Sequence, residues 1–227
     1  MEERTQPNGK CEFCQEIMTR RKLFNHLAKC AKRKEAIETT EKSNRSSQTL
    51  FHLRAKHPYA NDFWLDLEVK DSANLADLDE YLKAIWLECC GHMSEFSRGG
   101  FFKDEIDMNK TVETIFKKEK AIYHSYDFGT TSETIVELIG TRQGKSLTKN
   151  PIFLMTRNQM PEMECLDCNK VATHHCIECM YEGESNGMLC DEHTDSHPHD
   201  NYGDPIRLVN SPRLGMCGYD GPAEPPY

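Results

Sequence analysis

Between residues 49 and 158, apolar and polar positions follow two different periods. In DFWLDLEVK, Phe63, Leu65 and Leu67 alternate with Trp64, Asp66 and Glu68, the two-residue period of a half-buried strand. TLFHLRA reads as a partner strand. The period then lengthens: Leu75, Leu78, Leu82, Ile85 and Trp86 fall on one helical stripe within SANLADLDEYLKAIWLECC, with Asn74 placed to cap it and Asp77 in its first turn. A shorter helix is predicted around KTVETIFKK, with Val112, Ile115 and Phe116 facing the core. AIYHSYDF, SETIVELIG and IFLMTR read as further strands, interrupted or bounded by Gly129 and Gly140. This succession predicts an α+β fold with a largely antiparallel central sheet and helices.

Cysteine usage changes the picture at both ends. Eleven of the 227 residues are Cys. No apolar run approaches the ~20 residues of a membrane helix, and MEERTQPNGKCEFC carries no apolar signal segment. A cytoplasmic protein without membrane association is predicted, and there thiols serve metals more readily than disulfides. The N-terminal run supplies Cys11-x2-Cys14-x11-His26-x3-Cys30. His26 and Cys30 are four residues apart, so one helix would set both on one face, with Leu23 and Leu27 sealing a small core. The order resembles a C2HC zinc finger; the bland reading is a reduced-thiol helical hairpin.

The C-terminal run pairs its donors as Cys165-x2-Cys168, Cys176-x2-Cys179, Cys190-x2-His193 and His197-x-His199. Each couple offers two ligands from one turn, and two couples close a tetrahedral zinc site. Cross-bracing would give Cys165, Cys168, Cys190 and His193 to one ion and Cys176, Cys179, His197 and His199 to another, stapling a segment too small for a large core. The alternative is one ion with surface histidines to spare; His174 and His175 compete as donors, and Cys217 can replace a histidine. Iron–sulfur ligation suits the repeated histidines less well than zinc. The alternation resembles B-box-type cross-braced zinc fingers, which implies a compact interaction module. Together the clusters predict two small zinc modules flanking the sheet and about three Zn²⁺ ions per chain.

These features divide the chain into a finger (1–34), a linker (35–48), the α+β body (49–158), a double-zinc module (159–203) and a tail (204–227). Charge is uneven over this plan. Residues 1–56 hold 13 Lys/Arg against 7 Asp/Glu, whereas residues 165–227 hold 3 against 11. With a net charge of −9, the whole chain is not a polycation that coats nucleic acid, but its N-terminal arm can meet phosphate or an acidic protein surface. Protein partners are the first expectation, and RNA or ribonucleoprotein contact through Arg20, Arg21, Lys32 and Arg33 the second; a solvated basic face is the plain alternative.

The body also holds a polar cluster. Cys89, Cys90 and His92 can approach a metal, and Asp127 and Glu133 can add hard ligands or acid–base groups, as a metal-dependent hydrolase would need. The plainer reading makes the thiols buried packing and Asp127 a turn residue before Gly129. LADLDEYLKAIWLECCGHMSEF and YHSYDFGTTSETIVELIG, with Trp86 and the Tyr126-Asp127-Phe128-Gly129 turn, resemble the plasmid pRiA4b ORF-3-like family over roughly residues 50–158. That resemblance implies a compact α+β domain and brings no catalytic residue with it. The function these readings support is a zinc-stabilised adaptor or regulatory protein, with the hydrolase as the alternative.

Overall fold

The computed structural model describes residues 7–87, 90–183, 185–199, 201–219 and 224–227. The chain forms two compact units. One gathers the N-terminal segment to Leu82, His92–Gln159 and Pro225–Tyr227; the other gathers Lys83–Gly91 and Met160–Glu224.

The first unit begins with a hairpin, β1 (Asn8–Cys11) and β2 (Ile17–Thr19), followed by helices α1 (Arg20–Leu27) and α2 (Ala31–Glu41). Then come β3 (Ser47–Lys56), β4 (Trp64–Lys70), α3 (Leu75–Leu82), β5 (Ser94–Arg98), β6 (Asp104–Ile106), α4 (Val112–Phe116), β7 (Ala121–Tyr126), β8 (Ser132–Lys145) and β9 (Ile152–Asn158). Among the described residues these make one nine-stranded sheet, ordered β2-β1-β9-β4-β3-β8-β7-β5-β6. Its pairings are antiparallel. The predicted α+β class, with its antiparallel sheet, helices and flanking metal-binding clusters, is the observed one. The β5–β6 hairpin went unpredicted, because SEFSR and DEI are too short and polar to show a period. Gly140 lies inside β8, beside a bulge at the His52/Leu53 register shift, and does not end the strand.

The alternation in β4 is real, but its meaning differs from the expected half-buried strand. Trp64 through Val69 are all buried. One face follows the prediction: Phe51, in register with Val69, meets the ring of Phe116 from α4. The opposite face, which carries Trp64, Asp66 and Glu68, is covered as well. Trp64 packs with Leu23 and Leu27 of α1 and with Met155. Asp66 is fully buried and accepts from His52 Nε2 at 2.8 Å, Arg54 Nε at 3.0 Å and the Thr156 hydroxyl at 2.8 Å. Glu68 receives Arg142 through Nε at 2.8 Å and Nη2 at 2.7 Å. Buried carboxylates persist when charge and hydrogen bonds replace their water, and here they do so beneath the N-terminal helices.

The hairpin joins the sheet through β1 against β9. Close approach requires glycine at position 9: a Cβ there would lie 2.5 Å from the Trp64 ring, 2.7 Å from the Arg157 carbonyl oxygen and 2.8 Å from Leu23. Helix α3 starts with a reciprocal cap, Asn74 N–H to Asp77 Oδ2 and Asp77 N–H to Asn74 Oδ1, both at 2.8 Å. Asn74 caps the helix as the sequence suggested, and the return bond to Asp77 makes the pair a capping box. Asp79 on α3 bonds His124 Nε2 on β7 at 2.7 Å, a buried tie between helix and sheet.

The second unit starts where α3 stops. The sequence predicted one α-helix running on through Trp86, yet Lys83–Leu87 winds as a π-helical turn. That turn's carbonyls have other partners: the Tyr219 hydroxyl donates to Ala84 at 2.8 Å, and the Ser211 hydroxyl donates to Trp86. Ile85 and Trp86 are still fully buried, as the stripe required. The rest of this unit has β10 (His174–His175), α5 (Ile177–Glu182), β11 (Met188–Leu189), α6 (Asp191–Thr194) and β12 (Ile206–Arg207), with the strands ordered β11-β10-β12.

Two outcomes test this account. Gly9→Ala should lower the stability of the sheet unit by about 1–3 kcal/mol, measured as a reduced urea midpoint at unchanged slope. The second concerns pH. Burial is the largest influence on Asp66 and would raise its pKa, but His52, Arg54 and Thr156 together hold it below its ordinary value of 3.8. A depressed carboxyl contributes stability above its unfolded pKa and loses it as pH falls through the folded one. Unfolding free energy should therefore drop as pH is lowered below about 4, and Asp66→Asn should flatten that dependence while lowering stability at neutral pH.

Candidate metal centres

The first cluster lies where the hairpin meets the helices. Cys11 ends β1 and Cys14 follows in the turn, which is closed by Gln15 N–H to Cys11 O at 2.8 Å and Cys11 N–H to Glu16 O at 3.0 Å. Gln15 takes φ 64° to make that turn. His26 stands in the last turn of α1, and Cys30 is the N-cap of α2. A single helix carrying both donors, as the spacing predicted, is not what forms. The chain breaks after Leu27, and the bond from Cys30 N–H to His26 O at 2.7 Å folds the junction so that both side chains reach the knuckle. Cys14 Sγ lies 3.2 Å from His26 Nε2, and Cys11 Sγ lies 4.0 Å from Cys30 Sγ. Leu23 and Leu27 are buried beside them, as expected.

The other two clusters interleave. Cys165 and Cys168 sit on a turn closed by a bridge between Glu164 and Val171. Cys190 directly follows strand β11 and is the N-cap position of α6, which carries His193. Cys165 Sγ is 3.4 Å from His193 Nδ1, Cys190 Sγ is 3.5 Å from the same nitrogen, and the sulfurs of Cys168 and Cys190 are 3.7 Å apart. Cys176 caps α5, and its sulfur accepts from Cys179 N–H at 3.5 Å. Cys179 Sγ is 3.3 Å from His197 Nε2 and 3.2 Å from His199 Nδ1; Cys176 Sγ is 3.8 Å from His199 Nδ1. In each of the three clusters the four donor atoms lie within 4.8 Å of one another.

These distances fit a four-coordinate metal. Zinc–sulfur bonds of about 2.3 Å and zinc–nitrogen bonds of about 2.0–2.1 Å put tetrahedral edges at about 3.8 Å for S–S and about 3.6 Å for S–N. The observed separations of 3.2–4.0 Å bracket both. A disulfide would need about 2.05 Å, and the described cysteines form none. Burial pushes the Cys11 thiol up to about 12, so a metal entering that site must expel a proton. His174 and His175 stay outside the clusters. His174 bonds the Thr173 hydroxyl, and His175 is buried in β10.

Backbone geometry holds the third cluster as tightly as its donors do. Gly187 has φ +64°, and a Cβ there would lie 2.6 Å from the Cys176 carbonyl oxygen and 3.1 Å from Cys179 Cβ. Cys176 N–H in turn bonds the Gly187 carbonyl at 2.7 Å. The local apolar cluster consists of Cys176, Cys179 and Leu189.

The suggested hydrolytic groups are occupied otherwise. Asp127, at φ 61°, accepts Gly129 N–H at 3.1 Å and Thr130 N–H at 3.3 Å through Oδ1, a turn role. His92 Nδ1 is 3.8 Å from its other oxygen. Glu133 takes the Tyr59 hydroxyl at 2.6 Å. Cys89 lies outside the described residues. An open cavity of 310 Å³ in the first unit is lined by Arg98, Lys110, Thr114, Ile115, Lys118 and Glu119, a different set.

The basic arm is partly built into the fold. Arg20 lies against the rings of Phe24 and Trp64 and donates to Asn61, and Arg33 is half-buried and donates to the Leu27 carbonyl. Lys32 pairs with Glu35 at 2.9 Å. Arg21, Lys22, Lys29 and Lys34 are exposed. No helix among the described residues is long and apolar enough to cross a membrane.

No family model matches the chain, and no curated protein matches it. Among solved structures, the crystal structure of a protein of unknown function, MM3350, from Methanosarcina mazei Go1 is similar at a TM-score of 0.40 and 16% identity. The match covers 48% of this chain and 67% of that one. Similarity at this level assigns neither fold nor function.

Chelation should therefore act unevenly. Stripping metal should collapse the near-UV signal and protease resistance of the C-terminal unit, where Cys176 and Cys179 are both candidate ligands and buried packing, while the nine-stranded sheet persists. Limited proteolysis with peptide mapping checks this; equal protection of Met160–Glu224 with and without chelator would refute it. Gly187→Ala should weaken retention of one ion and leave the other two in place, read by native mass spectrometry.

Proposed function

We propose that the protein is a zinc-stabilised adaptor or regulatory protein of the cytosol, with three structural Zn²⁺ ions and a protein partner. The observation that carries this reading is the completeness of the donor sets. Each cluster brings four protein ligands together, and a hydrolytic zinc needs a position left for water. Thiolate ligation also suits a reducing compartment. The resemblance of roughly residues 50–158 to the pRiA4b ORF-3-like family rests on the short sequence stretches alone, since no family model matches, and adds no reaction to this reading.

Recognition falls to exposed side chains around the clusters. On the C-terminal unit, Tyr181 and Tyr202 are 53% and 56% exposed and stack with centroids 5.7 Å apart. Tyrosines of this kind are typical anchors of protein interfaces. That unit is strongly acidic, so the partner surface it favours is basic with an apolar centre. On the finger, Arg21, Lys22, Lys29 and Lys34 form the available positive surface and support ribonucleoprotein contact as the second partner class.

A photo-crosslinking residue at position 181 or 202 should give one discrete protein adduct in cells, and the same residue at Phe102 should not. Identical adduct patterns from both sites would remove the protein-binding face. For RNA, binding of a mixed-sequence oligonucleotide should weaken steeply between about 50 and 200 mM salt. Neutralising Arg21, Lys22, Lys29 and Lys34 together should abolish it; unchanged affinity in that variant would eliminate the finger as a phosphate contact.

A further inference from the structure

Two of the described cysteines, Cys90 and Cys217, stand outside the three four-donor clusters. Both belong to the C-terminal unit, and both are exposed, whereas the described cluster cysteines are buried or half-buried. Neither is in a disulfide, yet the fold brings their sulfurs within 4.8 Å of one another. Two thiols are too few to close a tetrahedral zinc site. They are the number a disulfide needs, and its sulfurs lie about 2.05 Å apart.

Little backbone movement separates the pair from that bond. The Tyr219 hydroxyl donates to the Ala84 carbonyl at 2.8 Å, and the Ser211 hydroxyl donates to the Trp86 carbonyl. The tail on both sides of Cys217 is therefore already tied to the π-helical turn that precedes Cys90. The loop between those ties is tightly constrained. Leu214, Gly215 and Cys217 have φ of 55°, 103° and 59°, and a Cβ at Gly215 would stand 2.5 Å from the Arg207 carbonyl oxygen. Non-glycine residues seldom adopt such angles unless the surroundings require them. What is left to close the gap is rotation of two exposed side chains. Arg213, which is buried, donates from Nη2 to Cys217 Sγ at 3.0 Å. A guanidinium in that position steadies the negative charge that a sulfur carries when it attacks an oxidant or leaves a disulfide.

We infer that Cys90 and Cys217 form a reversible redox couple, closed to a disulfide by hydrogen peroxide and reopened by a dithiol. The Cys217 thiolate attacks one peroxide oxygen. The O–O bond breaks, Cys217 becomes a sulfenic acid, and the departing hydroxide takes up the proton that Cys217 had released, giving water. The Cys90 sulfur then attacks the sulfenic sulfur. The S–O bond breaks, and the hydroxyl leaves with the Cys90 thiol proton as a second water. Two thiols and one peroxide thus give one disulfide and two waters, with two electrons passing from sulfur to peroxide oxygen. A dithiol returns those electrons by exchange and itself ends as a disulfide. In a reducing compartment such a bond is transient and registers oxidant. Closing it pins the tail around Cys217 to the segment after the π-helical turn and consumes none of the donors in the three clusters. The inference is independent of the adaptor reading.

The test uses the full chain loaded with Zn²⁺, treated with stoichiometric hydrogen peroxide, quenched with N-ethylmaleimide and mapped without reduction. The expected product is a peptide pair joining Cys90 to Cys217, from an intact chain two hydrogens lighter, with its zinc content unchanged and the link reversed by dithiothreitol. Because Cys89 adjoins Cys90, Cys89→Ser is mapped as well: the link should persist there and vanish in Cys90→Ser. In Cys90→Ser, dimedone should trap a sulfenic acid on Cys217. Alkylation of both Cys90 and Cys217 after peroxide treatment would overturn the couple, as would release of zinc before the link forms or a link that survives in Cys90→Ser. A dimedone adduct on Cys90 in Cys217→Ser, with none on Cys217 in Cys90→Ser, would overturn the order of attack and the part given to Arg213. Because the link is read first on the unmutated chain, a variant that fails to fold does not blunt the test.

Discussion

The structure depends on gathering thiols and imidazoles from distant positions into three tight clusters. The paired sulfurs at 3.7–4.0 Å would repel once both were thiolates, because like charges at that range disfavour joint ionisation. A divalent cation bound there would turn that repulsion into cohesion. At the third cluster Cys176 and Cys179 pack with Leu189, so there the ligands are also local core. In the first unit Cys11 and Cys30 share a cluster with Leu23, Leu27, Trp64 and Met155, and there the sheet would outlast the metal.

The same first cluster explains the unusual sheet beneath it. A polar strand face is normally left to solvent, yet Asp66 and Glu68 are buried. They are affordable because His52, Arg54, Thr156 and Arg142 satisfy them. Arg54 also lies 3.3 Å from the centroid of the Phe24 ring on α1, so the ionic layer and the finger's apolar layer interlock. The N-terminal finger is thus part of the sheet unit, entered through β1 and sealed over a charged face. Removing one partner of such a layer strands a buried charge, which is far more costly than losing an exposed pair.

What the sequence disclosed follows from what is local. Strand and helix periods in the body, the Asn74–Asp77 cap and the twelve paired donors are short-range signals, and the sheet and the clusters use them. Long-range facts were hidden. Nothing in TLFHLRA or DFWLDLEVK announces that β1 will pair with β9, so the polar face of β4 read as solvent-facing. The helix break between His26 and Cys30 depends on one backbone bond to a carbonyl, and the π-helical turn depends on hydroxyls more than a hundred positions away.

The charge on the finger shows why composition overstated its basic surface. Arg20 and Arg33, two of the four cations first assigned to phosphate, are engaged within the fold, on two aromatic rings and on a helix-end carbonyl, while Lys32 is exposed and pairs with Glu35 at the surface. A guanidinium so engaged contributes packing through its stem and plane, and a partner would have to displace those contacts before using its charge. The cations left for a ligand are Arg21 and the lysines at 22, 29 and 34, which are solvated, flexible and suited to steering an approach. Affinity must come from elsewhere, and the exposed Tyr181–Tyr202 pair offers rigid area at low entropic cost. In the proposed adaptor role, the basic arm guides a partner and the aromatic pair anchors it.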